Sequence, residues 1–111
     1  MRVTPRYSSM NSKPLTVVAE MEAKPGSEAT VRAALTSLIA PSRGHAGCIT
    51  YDLHEANDHT NHFMFYENWT SKDLLDQHLA DPFVAGVLSQ IAPLLTNPAR
   101  ISLWTKTGST V

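Results

Sequence analysis

The chain has 111 residues, of which 42% are hydrophobic and 17% charged. One domain of this length buries roughly two-thirds of its unfolded surface, so a core forms without metal or disulfide staples, and the composition excludes a disordered or membrane-spanning chain. Nine basic residues against ten acidic ones leave a net charge of −1 with no basic stripe, which argues against a nucleic-acid partner.

Residues 1–13 are polar, carry Arg2, Pro5 and Arg6, and read as a disordered extension. No apolar signal core follows them and no apolar run approaches the roughly 18 residues of a membrane helix, so a cytoplasmic protein is expected. The single Cys48 cannot form an internal disulfide, which fits a reducing compartment. The domain proper is expected over 14–107, with a flexible tail over 108–111.

Leu15 to Ala23 alternates apolar and polar side chains, the pattern of a half-buried strand. Pro25-Gly26 ends it, Ser27 is the expected N-cap, and Val31, Leu35, Leu38 and Ile39 fall on one face of a helix closed by Pro41 and Gly44. Cys48 to Glu55 and Phe63 to Thr70 read as strands joined by the polar turn 56–61. Ser71 caps a helix bearing Leu74, Leu75, His78 and Leu79, and Asp81-Pro82 signals the next, with Val84, Val87, Leu88 and Ile91 on its apolar side. Ala99 to Lys106 supplies a last strand. The order β-α-β-β-α-β predicts an α+β, ferredoxin-like fold. Its helices cover one sheet face and leave Val18, Met64, Tyr66 and Trp104 on the other, so a homodimer packed sheet to sheet is expected.

Hairpin register decides which side chains meet the helices. Pairing Tyr51 with Phe65 and Leu53 with Phe63 clusters Ile49, Tyr51, Leu53, Phe63, Phe65, Glu67 and Trp69 beneath them. Thr50, Asp52, His54, Met64, Tyr66 and Asn68 then face outward. Glu67 becomes a carboxylate among rings, and burial raises a carboxyl pKa unless a partner offsets it. His78 lies on the buried side of its helix and is a candidate partner. A desolvated Glu–His pair suits proton abstraction from a phenol, and it serves equally as core polar groups satisfying the backbone.

The remaining polar residues carry less. His59 and His62 flank a turn without further ligands, so no metal site is expected. His45 is read as a solvated loop residue, and Asp52 and His54 as inter-subunit hydrogen-bonding groups. Cys48 lacks a base beside it, and no glycine-rich nucleotide loop occurs, so no dinucleotide is expected.

Pro25-Gly26, Gly47-Cys48, Tyr51-Asp52-Leu53-His54, Phe65-Tyr66-Glu67-Asn68-Trp69 with Ser71, and His78 ahead of Asp81-Pro82-Phe83 together resemble the antibiotic biosynthesis monooxygenase superfamily. The resemblance spans roughly residues 15–106, and within the superfamily it is similar to the small quinol monooxygenase-like proteins. It implies a dimeric α+β barrel with a pocket between sheet and helices in each subunit. It also implies, for several members, oxygenation of phenols or quinols by O2 without flavin, haem or metal. Trp69 matches a pocket tryptophan of the polyketide-oxidising members, but the asparagine they place four residues earlier is Phe65 here. The haem-degrading branch uses an asparagine and a histidine at positions that are Ala19 and about Leu88 here, so haem is not expected.

The resulting expectation is a cofactor-free monooxygenase acting on a quinol or related phenol. Glu67, His78 and Trp69 are the catalytic candidates, and Tyr51, Leu53, Phe65 and Phe83 are the candidate substrate contacts. The alternatives are an isomerase acting on a small carbonyl compound with the same base pair, and a dimeric ligand-binding protein without catalysis.

Overall fold

The computed structural model describes residues 13–108. Residues 1–12 of the expected extension over 1–13, and 109–111 of the expected tail, lie outside the described residues. Four antiparallel strands, β1 (Leu15–Glu22), β2 (Cys48–Glu55), β3 (His62–Trp69) and β4 (Arg100–Trp104), form one sheet in the order β2-β3-β1-β4. Helices α1 (Glu28–Thr36) and α2 (Ile39–Arg43) connect β1 to β2. Helices α3 (Lys72–Ala80) and α4 (Pro82–Ile91), with a 3-10 turn at Ala92–Leu94, connect β3 to β4. This is the predicted α+β ferredoxin-like arrangement. Among the described residues no helix is long and apolar enough to cross a membrane.

Alternation in β1 buries Val17, Ala19 and Met21 while Thr16, Val18 and Glu20 stay part-exposed, so the helix-facing side carries the core. Trp69, Phe63, Leu35, Leu38 and Leu75 are its largest wholly buried members. On the uncovered side, Tyr66 and Trp104 remain 40% and 58% exposed. The inward residues of β4, Ile101 and Leu103, pair with Ala19 and Val17 yet are about half exposed (48% and 47%).

Four local expectations change. The single helix after Pro25-Gly26 is two, broken at Ser37-Leu38. Pro41 has no N–H to donate to the Ser37 carbonyl, and its ring crowds that carbonyl in a continuous helix. Ser27 makes no side-chain cap; instead the Glu28 Oε1 atom accepts a hydrogen bond from the Gly26 N–H at 2.9 Å. The hairpin pairs Tyr51 with Glu67 and Leu53 with Phe65, two residues away from the expected register. The hairpin closes at Ala56, whose N–H donates to the His62 carbonyl at 2.9 Å, so β3 begins at His62, one residue before Phe63, and Glu55 pairs with Phe63. A slip of two preserves the faces, because side-chain direction repeats every second residue. Ile49 is the exception: it is the extra residue of a bulge between Cys48 and Thr50, which turns it outward to 60% exposure.

The caps of the second crossover form as predicted. The Ser71 hydroxyl accepts from the Leu74 N–H at 3.2 Å, and Asp81 Oδ2 accepts from the N–H groups of Phe83 and Val84 at 3.0 and 3.1 Å. Gly47, at φ +84°, brings the chain into β2 so close to α3 that a Cβ there would lie 2.5 Å from Leu74 Cδ1.

Candidate active site

A cavity of about 190 Å³ lies between the sheet and helices α3 and α4. Val17, Ala19 and Met21 of β1 form its floor, Val84, Leu88 and Ile91 of α4 its roof. It extends to Pro98, Ala99 and Ile101, which are exposed at the start of β4. Against this apolar wall, among the described residues, three ionisable side chains reach the cavity: Tyr51, Glu67 and His78.

Glu67 faces inward because it alternates with Phe65 and Trp69 along β3. It is 5% exposed, and its Oε1 accepts a hydrogen bond from the Trp69 indole N–H at 2.8 Å. Burial pushes the carboxyl pKa up to about 7, and the indole bond, which favours the ionised form, offsets this only in part. Such a group exchanges protons near neutrality.

His78 sits on the inner face of α3, one turn beyond Leu74, and is likewise buried. Its ring packs 4.6 Å from Trp69 and 5.4 Å from Tyr51, centroid to centroid. Its Nδ1 lies 3.0 Å from Nδ1 of His45. Burial first, and the neighbouring His45 second, lower its pKa to about 4, against the opposing pull of Asp81. The imidazole is therefore neutral at pH 7 and has a lone pair to offer. Burial pushes the Tyr51 phenol well above its ordinary value, so that hydroxyl stays protonated.

Glu67, His78, Tyr51 and Phe65 thus share one cavity. Trp69 is fully buried behind it, hydrogen-bonded to Glu67 and packed on His78, and orients both without lining the space. Leu53 points to the helix side but lies part-buried beyond the cavity. Phe83 is corrected: at the start of α4 it is 48% exposed and stands outside the cavity. Its neighbour Val84 takes the inward position of that first turn instead, 1% exposed on the cavity roof. The expected Glu67–His78 hydrogen bond is also absent among the described residues, since each group has a different partner.

The partner of His78 is His45, corrected here from a solvated residue to a part-buried one. The short loop from α2 through Gly47 folds it over α3, a contact across 33 positions that no local pattern signals; the glycine ahead of β2 is its only trace in the sequence. His59 and His62 turn to Asp58 and Glu20 respectively. Asp52 accepts from Arg43 at 2.9 Å, and His54 is exposed on the outer sheet face. Cys48 is part-buried, and burial raises its thiol pKa, which keeps the thiolate population low.

Fold and cavity together define a ferredoxin-like domain with a buried carboxyl and a buried imidazole on the wall of an apolar chamber. A profile described as antibiotic biosynthesis monooxygenase matches residues 14–85, and the chain belongs to that family. It is 30% identical over 92 residues, 83% of this chain and 90% of the relative, to a Mycobacterium tuberculosis protein named "Putative monooxygenase Rv0793". The solved structure of Rv0793 superposes with a TM-score of 0.82 over 89% of this chain and all of that one, at 28% identity. A crystal structure of PA3566 from Pseudomonas aeruginosa does so with a TM-score of 0.81 at 31% identity, covering 88% and 98% of the two chains.

Proposed function

We propose that the cavity binds a quinol or related phenol and that Glu67 and His78 take its hydroxyl proton, so that the bound phenolate reduces O2. The observation that carries this reading is a carboxyl with a pKa of about 7 sharing an apolar cavity with a neutral imidazole. Ground-state O2 reacts slowly with closed-shell molecules, and ionisation makes a quinol a far better electron donor. The stoichiometry closes on the substrate alone: a hydroquinone and O2 yield a hydroxyquinone and water, one oxygen entering the ring and the other leaving reduced. Size supports a small aromatic ligand, because a dry apolar cavity of about 150 Å³ takes up benzene. Membership of the monooxygenase family points in the same direction.

In this reading Glu67 and His78 contact the hydroxyl, Tyr51 and Phe65 contact the ring, and Trp69 positions both proton acceptors. The proposal includes a homodimer closed over the outer sheet face, supported by the exposed Tyr66 and Trp104. Oxygen uptake with a panel of reduced benzoquinols and naphthoquinols tests the function. The double variant Glu67→Gln, His78→Ala is expected to lose about a hundredfold or more in kcat/KM. Turnover that survives it removes both residues from the chemistry.

A further inference from the structure

His78 lines two separate spaces: the apolar cavity, and a small surface cleft that it shares with His45, Leu74, Gln77 and Asp81. Among the described residues it is the one ionisable group common to both. His45, whose side chain is about a quarter exposed, stands between it and solvent, with Nδ1 at 3.0 Å from His78 Nδ1 and Nε2 at 3.8 Å from Asp81 Oδ1. Asp81 is held in place because its other oxygen caps α4.

These contacts select one proton arrangement. Two ring nitrogens 3.0 Å apart need one donor and one acceptor. The carboxylate beside His45 Nε2 favours the proton on that nitrogen, which leaves His45 Nδ1 as the acceptor and His78 Nδ1–H as the donor. His78 Nε2 is then bare, and it has no hydrogen-bond partner among the described residues.

We propose that His45 is a positioning residue that fixes His78 in the Nδ1–H tautomer and relays protons between the cavity and the surface cleft. This rests on the reading of the cavity as the place where a phenol is deprotonated. When the ligand O–H bond breaks, its proton goes to His78 Nε2. The Nδ1 proton of His78 then passes to His45 Nδ1, and the Nε2 proton of His45 leaves to solvent, with the Asp81 carboxylate stabilising the transient imidazolium. The net result is a bound phenolate and one proton in bulk water. Running the sequence backwards returns a proton to the cavity and restores both tautomers. The ionisable groups around His78 are Tyr51 from β2, Glu67 from β3, His45 from the α2–β2 loop and Asp81 from the α3–α4 junction. Tyr51 keeps its proton, and burial together with His45 holds His78 neutral against the pull of Asp81.

Long-range 1H–15N NMR of the full chain at pH 7 reads the tautomers without any ligand. The expected spectrum shows His78 protonated at Nδ1 and bare at Nε2, with His45→Ala shifting it toward the Nε2–H form. Asp81→Asn retains a capping oxygen for α4 but weakens the tautomer preference. In oxygen uptake with a reduced quinol, His45→Ala is expected to lower kcat by about tenfold or more at unchanged KM. The loss is expected to recover on adding imidazole buffer, a response that a purely structural defect does not give. A native His78 carrying its proton on Nε2, or a His45→Ala variant with full kcat in dilute buffer, overturns the proposal. A native protein with the expected tautomers that consumes no O2 with any quinol overturns the phenol reading and the relay with it, leaving only the tautomer lock.

Discussion

Two buried groups with opposite pKa displacements make stability against pH a direct readout of the cavity. Glu67 is displaced upward from 4.5 to about 7. Folding therefore favours its protonated form: the associated stability is complete below pH 4.5 and is lost as pH rises to about 7. At about 1.4 kcal/mol per pH unit, the loss reaches up to about 3 kcal/mol. His78 is displaced downward from 6.5 to about 4, so its stability is complete above pH 6.5 and is lost as pH falls toward 4, by a similar amount. Between pH 4.5 and 6.5 the two slopes oppose each other, and the native protein is expected to show little net dependence from this site. Glu67→Gln retains an oxygen to accept the Trp69 N–H and removes the upward-displaced carboxyl. Urea unfolding at closely spaced pH values from 4.5 to 8 is expected to show the variant equal to the native protein at the acidic end. Above pH 7 it should be more stable by about 2–3 kcal/mol, part of the gain being forfeited to the imperfect fit of an amide. A variant whose pH profile parallels the native one throughout would refute the desolvated carboxyl and every function built on it.

Trp69→Phe deletes the indole donor while leaving a ring of similar shape, and the Glu67 carboxyl is expected to titrate above its native value of about 7 by carboxyl-carbon NMR. Gly47→Ala combines a φ of +84° with a collision against Leu74 and Thr70. A loss of about 2–4 kcal/mol, seen as a fall of roughly 10 °C or more in Tm, is expected in thermal unfolding. Ala19→Leu projects a larger side chain from the cavity floor and is expected to abolish calorimetric binding of a reduced quinol while keeping the protein folded. Trp104→Lys places a charge on the exposed outer sheet face, and light scattering is expected to report dimers for the native protein and monomers for the variant.

Much of the fold is legible locally. Alternation in Leu15–Ala23 and the Ser71 and Asp81-Pro82 caps each depend on neighbours within a few residues, and those elements form where they are expected. The errors arise where distant groups decide. Pro41 lies inside an apolar pattern that otherwise continues from Val31, and only the lost Ser37 hydrogen bond divides the helix. The hairpin register is ambiguous by two residues because both choices place the same side chains inward, and the tie is broken by the Ala56 N–H bonding the His62 carbonyl across the turn. Glu67 and His78 stand out in the sequence as polar residues on apolar faces. Their actual partners do not, because Trp69 is chosen over His78 by strand alternation and His45 arrives from a loop. Phe83 illustrates the converse: an aromatic next to a helix start carries no information about which way the first turn points.

Ile101 belongs at once to the cavity wall and to the half-bare strip along β4. Whatever packs against that strip therefore also reshapes one end of the chamber, and whatever fills the chamber presses on the strip. Substitutions that widen the chamber through Ile101 change the adhesive character of the protein's edge in the same stroke. A redesign for bulkier guests is better started from Leu88 on the roof of the chamber, which lies away from that strip.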